Sequence, residues 1–425
     1  MKALGKHQPE IVILGAGMVG AALALALAPS GVKLRLLERL PGSLHQRLTA
    51  LDSQPPAEFD TRVSALSCAS QTLLEHLGAW SGVEARRLAP YRGMQVWDGM
   101  GQGEVSFSAD ALHESCLGYI VENRVILAAL LERLLAFENV RFEPGAELQG
   151  ISAPETGSSR RVLTLKDGRQ LTSPLTLIAE GGDSPSRQLA GFATTQWDYG
   201  HHALVTTVET EKSHAWQCWQ RFTETGPLAF LPLAETAGHT ASIVWSTSPA
   251  HAQELMALET AEFNQALTRA FDGRLGQVSC VAPRQTLALR QRHAQHYILP
   301  GLALLGDAAH TIHPLAGQGV NLGFLDVAAL AEILIQAHQR GEVLGSTRVL
   351  RRYERQRRSD NLTMSASMEA FRRLFVPLPA PLGLLRSAGM NCFNRLPALK
   401  NHLVLRAMGL SGDLPSLARR PLVRD

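Results

Sequence analysis

The 425-residue chain has no run of 18 consecutive apolar residues, so no transmembrane helix is expected. Its first ten residues lack the apolar stretch of a signal peptide and lead straight into a strand, which makes a cytoplasmic location the expectation. Charge is scarce and nearly balanced, with 19% charged residues and a net charge of +3, so no nucleic-acid partner is favoured. The five cysteines, Cys68, Cys116, Cys218, Cys280 and Cys392, are odd in number and form no CxxC, so they read as reduced, small apolar side chains. No Gly-x-Ser-x-Gly elbow occurs, which removes one common form of nucleophilic catalysis.

Metal-ligand spacing is also lacking. His201 and His202 are adjacent on a predicted strand and face opposite ways, so they cannot share a metal. His310 and His313 have an i,i+3 spacing, but Pro314 follows at once and no nearby Cys, Asp or Glu completes a set. Both histidines are expected to line a pocket, and no metal is expected.

What is present suits a globular enzyme. Hydrophobic residues make up 45% of a chain long enough for two or three domains. Ile11-Val-Ile-Leu14 predicts a buried strand. Gly15-Ala16-Gly17-Met-Val-Gly20 follows, then a helix of small residues, a strand over 32–37, and Glu38 with Arg39 beside it. This is GxGxxG in the setting its chemistry requires. Gly15 is assigned the tight turn, Gly17 the approach of a pyrophosphate, Gly20 close helix–sheet packing, and Glu38 the ribose hydroxyls. The motif alone does not separate FAD from NAD.

A second strand–turn–helix lies some 290 residues downstream. Gly301–Leu305 predicts a buried strand, Gly306-Asp307 ends it, and a glycine-spaced turn enters an apolar helix from Val320. An acid at a strand end can meet a ligand hydroxyl. Gly317, Gly319 and Gly323 are expected to let backbone approach a flat ligand, and the N–H groups of Gly319, Val320 and Asn321 can hold an anion.

Between these motifs, 41–60 reads as loop and Arg62–Leu66 as the start of a helix running to Leu77. Gly118–Arg124 is expected to open a helix over 125–136, and 140–142, 163–165 and 171–172 to form a meander. Leu175–Ile178 predicts a buried strand ending at Ala179-Glu180. The section 197–283 alternates apolar and polar residues as strands with one ligand-facing side, followed by one amphipathic helix over 254–272. The basic stretch 348–360 reads as a solvated helix face. The apolar and basic segment 371–408 fits either packing on the catalytic body or contact with a membrane surface.

Taken together, Gly-Asp at 306–307, the Pro-Leu-Ala-Gly-Gln-Gly turn at 314–319 and the N-terminal GxGxxG resemble the flavoprotein monooxygenases of the para-hydroxybenzoate hydroxylase type. The resemblance implies an α/β fold, α+β overall. A Rossmann-like FAD-binding domain carries an inserted mixed β-sheet substrate domain and C-terminal helices. The implied boundaries are 9–80, 119–190 and 285–345 for the FAD-binding domain, 81–118 and 191–284 for the substrate domain, and 346–425 for the helical region. It implies FAD as cofactor and NAD(P)H as co-substrate. Arg62 becomes a flavin-side arginine, Arg124 (with Asn123) reaches the FAD phosphates, Asp307 holds the ribityl chain, and Pro314, Gly317 and Gly319 lie along the flavin ring. Glu180 stands where the family has Asp, with Gly181, Ser184 and Arg187 matching around it.

Within that group the chain is most similar to the ubiquinone-biosynthesis hydroxylases, across nearly its whole length. PYRGMQVWD at 90–98, GYIVENRVI at 118–126, WDYGHHALV at 197–205, SIVWSTSP at 242–249, LRRYERQRRSDN at 350–361 and MGLSGDLPSLAR at 408–419 favour the C5 ring hydroxylases. The resemblance implies hydroxylation of a polyprenylated phenol with O2 through a flavin C4a-hydroperoxide, and a pocket opening to an apolar channel. The flavin performs the chemistry, so no catalytic base is named, and His313 and Pro314 are pocket candidates. A homo-oligomer and association with a membrane surface or biosynthetic complex are expected. The alternatives are a sister C6 or C1 hydroxylase, a flavin-dependent reductase on the same fold, and a non-catalytic lipid-binding subunit.

Overall fold

The structure is a computed structural model, and it describes residues 10–421 apart from 54, 56, 57, 236, 312–318, 377 and 378. His313, Pro314 and Gly317 therefore lie outside the described residues.

A six-stranded sheet runs in the order 298–299, 302–304, 175–178, 11–14, 34–38, 140–144. All its pairings are parallel except the first. Parallel strands covered on both faces read as unbroken apolar runs, and Ile11–Leu14 and Leu175–Ile178 are buried throughout. The helices Met18–Leu27, Asn123–Leu134, Gly319–Gln339 and Thr347–Leu374 pack around this sheet and one another, in the largest apolar core. Gly319–Gln339 is, among the described residues, the one helix long and apolar enough to cross a membrane. Its most apolar 18-residue stretch is 67% buried inside the protein, and it reads as a core helix.

A nine-stranded mixed sheet forms the second layer. Its long strand Thr194–Thr210 pairs with Gln285–Ala294 on one side and Thr240–Thr247 on the other, and Gly226–Pro232, Gln217–Thr223, Gly93–Asp98 and Glu104–Ser108 continue outward. Alternation decides its faces. Leu204, Leu228, Phe230, Ile243 and Trp245 point to a core completed by Phe263, Leu267 and Phe271. Their neighbours Ala203, Val205, Ala229, Leu231 and Val244 point the other way, into a cavity.

The edge strand Glu104–Ser108 is covered by the helix Ala380–Asn394. Ser387 Oγ accepts the Gln102 N–H at 3.2 Å, and the Asn391 and Asn394 side-chain carbonyls accept those of Glu104 and Ser106 at 3.1 Å each. Side chains four and three residues apart on a helix thus serve backbone groups two apart on a strand, which closes an edge that would otherwise recruit another strand. Arg386 anchors the helix through two hydrogen bonds to buried Asp98, at 2.8 and 3.1 Å.

Several elements differ from the sequence expectation. The stretch 41–60 contains a helix, Leu44–Asp52, started by a capping box in which Ser43 and Gln46 exchange hydrogen bonds. The helix expected from Arg62 begins only at Cys68, capped by Ser67, because Val63–Leu66 is a strand paired with 119–122. Gly118–Glu122 is that partner strand rather than a helix start. The strand from Val140 joins the parallel sheet beside Leu34–Glu38, and the meander is 148–151, 161–165 and 170–173. The helix expected over 254–272 is two, Pro249–Ala257 and Thr260–Ala270. Leu258 is extended, and Glu259 caps the second helix in a box with Glu262.

The basic helix is also not simply solvated. Arg357 is 2% exposed and donates from Nε to Asp326 Oδ1 at 2.8 Å and from Nη2 to Asn361 Oδ1 at 2.8 Å. Asp326, fully buried, also accepts the Gly306 N–H at 3.0 Å and meets His310 Nε2 at 2.6 Å. Burial opposes the charge on Asp326, but His310 and Arg357 outweigh it and hold the carboxyl pKa down at about 2. A pKa depressed on folding adds stability above the unfolded value, and that stability is lost as pH falls toward the folded one. We expect Asp326→Asn, which leaves the buried Arg357 only the half-exposed carboxylate of Asp360 as a charged partner at 3.1 Å, to cost about 3 kcal/mol at neutral pH. In urea titrations the gap between wild type and variant should shrink as pH falls from about 4 to about 2. A gap that stays constant over that range would show that the charge on Asp326 contributes nothing.

Candidate functional site

One cavity of about 720 Å³ runs between the two sheets. At one end it is lined by Gly15, Gly17, Glu38, Arg39, Arg47 and Ser186. The apolar face of the nine-stranded sheet lines the other. Arg62, Ser64, Asn123, Asp307, Gly319 and Val320 lie in the wall between.

The three glycines of the first turn differ in their surroundings. Gly15 has φ +94°, and a Cβ there would sit 2.8 Å from the Ala179 carbonyl oxygen. At Gly20 a Cβ would fall on the Gly15 carbonyl oxygen. At Gly17 a Cβ would meet no protein atom within 4 Å, and its φ of −75° suits any residue. Gly15 and Gly20 are therefore required by the protein's own packing, whereas Gly17 keeps open the space in front of a helix N-terminus, where an anion is favoured.

Glu38 closes the strand Leu34–Glu38. Its carboxylate accepts the Ala16 N–H at 2.8 Å and the Leu40 N–H at 2.9 Å, which fixes it beside the turn with lone pairs left for a ligand. Arg47 Nη1 is buried and forms an ion pair with it at 3.4 Å without a hydrogen bond. Arg47 also lines the cavity, where a guanidinium suits an anionic ligand group. Sequence reasoning missed Arg47 because 41–60 read as loop. The Ser43-x-x-Gln46 capping box was the signal that would have revealed its helix.

Asp307 follows the strand Leu302–Leu304 in a short 3-10 turn, Gly306–Ala308. It is deep by position and wet by access, because its side chain opens onto the cavity. The surrounding protein pushes its pKa up, while attraction to His310 and Arg62 acts in the opposite sense. Val320 and Gly319 lie beside it at the start of the long helix, and a Cβ on Gly319 would stand 3.9 Å from Asp307 Oδ1.

Other expected site residues have different surroundings. Gly306 and Gly323 make room for Val19, whose Cγ2 would lie 3.0 and 2.7 Å from Cβ atoms placed on them, so Gly323 serves helix packing rather than a flat ligand. Asn321 is buried, accepting from Ser67 N at 3.0 Å and Ser70 Oγ at 2.7 Å and donating to the Ala65 carbonyl at 2.8 Å. Glu180 accepts from Ser184 Oγ, Ser186 N and Ser186 Oγ at 2.7–3.1 Å, a set of bonds that organises its own turn. Arg124 pairs with Glu122 and donates to the Leu51 carbonyl, while Asn123 lines the cavity with its Oδ1 held by Ser64 Oγ at 2.6 Å. His310 faces the buried Asp326 and not the cavity. Among the described residues no group of three or more His, Cys, Asp or Glu is placed to hold a metal.

This geometry fits a dinucleotide lying across two sheets, and the comparisons agree. The FAD binding domain family matches residues 8–364. The 3-demethoxyubiquinol 3-hydroxylase of Escherichia coli K12 is 39% identical over 406 residues, covering 95% of this chain and 100% of its own. The mitochondrial ubiquinone biosynthesis monooxygenase COQ6 of Xenopus tropicalis is 35% identical over 451 residues, covering 95% and 94%. The chain belongs to the FAD-dependent ubiquinone-biosynthesis hydroxylases. It is an FAD-dependent monooxygenase, with NAD(P)H as the family's reductant. In fold it is similar to p-nitrophenol 4-monooxygenase PnpA of Pseudomonas putida DLL-E4, at a TM-score of 0.75 and 19% identity, covering 95% and 98%.

The residues present fit FAD, since Gly17 leaves open the approach a pyrophosphate needs and the Ala16 and Leu40 N–H groups fix the Glu38 carboxylate beside that turn. Gly17→Val should therefore fold normally yet lose FAD. We expect its apoprotein stability to stay within about 0.5 kcal/mol of wild type and the purified protein to be colourless. Stoichiometric flavin in that variant would place the nucleotide elsewhere.

Proposed function

We propose that the enzyme hydroxylates the aromatic ring of a polyprenylated phenol or quinol. The observation that carries this is the continuity of the cavity from the glycine turn to the apolar sheet face. A ring with a long apolar tail is the kind of substrate such a wall would hold. Bound FAD, once reduced by NAD(P)H, supplies the activation of O2. The chain's own residues bind and orient. In this reading the backbone at Gly15–Gly17 and Arg47 take the pyrophosphate, Glu38 the ribose, and Asp307 a ribityl hydroxyl. Arg62 faces the flavin side, and the helix start at Gly319–Val320 stabilises charge at the flavin's pyrimidine edge. Glu180, Arg124 and Asn321 act through the turns and helices they brace.

For ring position, the six stretches that favour the C5 hydroxylases support attack at C5. The full-length similarity to the Escherichia coli 3-demethoxyubiquinol 3-hydroxylase favours a later ring position as the second reading. Cells lacking the protein should accumulate a polyprenylphenol without the C5 hydroxyl. Accumulation of 3-demethoxyubiquinol would instead establish the second reading. In both cases the new hydroxyl oxygen should derive from labelled O2, and label arriving from water would overturn the monooxygenase chemistry.

We also propose that the enzyme works in the cytoplasm and takes its substrate at an anionic membrane surface through its C-terminal helices. Ser387, Asn391 and Asn394 of the helix Ala380–Asn394 face the sheet edge, whereas Leu384 and Leu385 are 73% and 69% exposed. Leu396, Leu399 and Leu403, in the turn and helix that follow, are also exposed. Between 371 and 412 the chain has arginines and a lysine but no Asp or Glu, which complements anionic headgroups. The FAD-loaded enzyme should sediment with vesicles containing phosphatidylglycerol and much less with pure phosphatidylcholine. The double variant Leu384→Glu, Leu385→Glu should stay in the supernatant while keeping its flavin. Equal sedimentation of variant and wild type would exclude this surface.

A further inference from the structure

One carboxamide on the nine-stranded sheet, that of Gln220, faces the cavity. Gln220, on the strand Gln217–Thr223, lines the cavity and is 6% exposed. The residues two before and two after it on the same face are Cys218 and Phe222, both buried in apolar clusters. Directly across the sheet lie Ala229 on one side and Val96 on the other. No protein group among the described residues hydrogen-bonds the Gln220 amide. Ser246, the other polar residue on this part of the wall, is 3.4 Å from His201 Nδ1.

The amide opens onto the cavity and is reachable from it. A ligand that fills the cavity displaces water from the carboxamide, which is then left unpaired unless the ligand bonds it. The partner is then the ligand itself. A carboxamide offers two donors and one acceptor, so it can donate to a ring oxygen and accept from a ring hydroxyl. In an otherwise apolar wall it would fix the rotation of a ring about its own plane and so select which ring carbon is presented. A site built to bond an oxygen substituent rejects the ring that lacks it, because the amide is then left unpaired.

We propose that Gln220 forms a subsite for an oxygen substituent on the substrate ring, a hydroxyl or alkoxy group, and so sets the ring's orientation in the cavity. This deepens the hydroxylase reading above and rests on it.

The test is equilibrium binding to the FAD-loaded protein without NAD(P)H, followed by perturbation of the flavin absorbance. The probes are 2-farnesylphenol and farnesylbenzene, which differ only in the ring oxygen. Wild type should bind the phenol about tenfold more tightly, as one hydrogen bond in a dry wall allows. Gln220→Met, of similar length and without the amide, should bind the two probes equally, retain FAD and melt no lower than wild type. Gln220→Asn should keep part of the preference. A Gln220→Met protein that still prefers the phenol would overturn the subsite, as would one that melts several degrees lower, which would show the amide to be structural. Wild type that binds both probes equally would overturn the subsite and leave the hydroxylase reading standing. Wild type that binds neither would overturn both.

Discussion

The carboxylate of Asp326 is the point on which the elements between Gly306 and Asn361 meet. It sits on the long apolar helix Gly319–Gln339 in a dry core, where an unpaired charge would be prohibitive. Its partners come from separate elements: the backbone of Gly306, the ring of His310, and the guanidinium of Arg357 and amide of Asn361 on the basic helix. Asn361 and His293 both reach the Tyr297 hydroxyl, at 3.4 and 3.0 Å. Because Gly306 is gripped from behind, Asp307 is carried to the cavity wall with little freedom. One buried acid therefore positions an acid that meets the ligand space, and neither can be understood alone.

That arrangement explains why part of the site was legible in the sequence and part was not. Strand–glycine–helix signals are local, so the turn at Gly15–Gly20, the acid at Glu38 and the Gly306-Asp307 pair were readable from spacing. His310 was expected at the pocket because its spacing from His313 lacked the further ligands a metal needs. It turns into the core because an acid 16 residues further on, and an arginine beyond that, stand behind it. The basic stretch around Arg357 looked solvated because its partner is contributed by another helix, and periodicity carries no information on such pairings. The boundary errors have a similar cause. Val63–Leu66 and Gly118–Glu122 are each too short to declare themselves, and they become strands by pairing with each other.

The glycines show the same division between local signal and tertiary cause. Spacing marks Gly15, Gly17, Gly20, Gly306 and Gly323 alike. Only the packed structure separates those needed so that protein can touch protein from the one that leaves space for a ligand. Val19 packs against Gly306 and Gly323, which ties the first nucleotide turn to the second motif. The open side of Gly17 is what remains when that packing is complete.

The large sheet divides its work by alternation. Leu204, Phe230 and Ile243 build a core with the helix Thr260–Ala270, and their neighbours Ala203, Val205, Ala229, Leu231 and Val244 form the cavity wall. A substitution that slipped one strand by a single residue would exchange core for wall along its length. The antiparallel pairings of Leu204 with Trp245 and of Leu228 with Trp245 fix that register from both sides. At the far edge the strand Glu104–Ser108 is fixed by Ser387, Asn391 and Asn394 in place of a further strand. The helix that carries the exposed leucines is thereby bonded to the sheet that carries the cavity wall, so the surface proposed to meet lipid and the wall proposed to hold the ring are linked through one hydrogen-bonded edge.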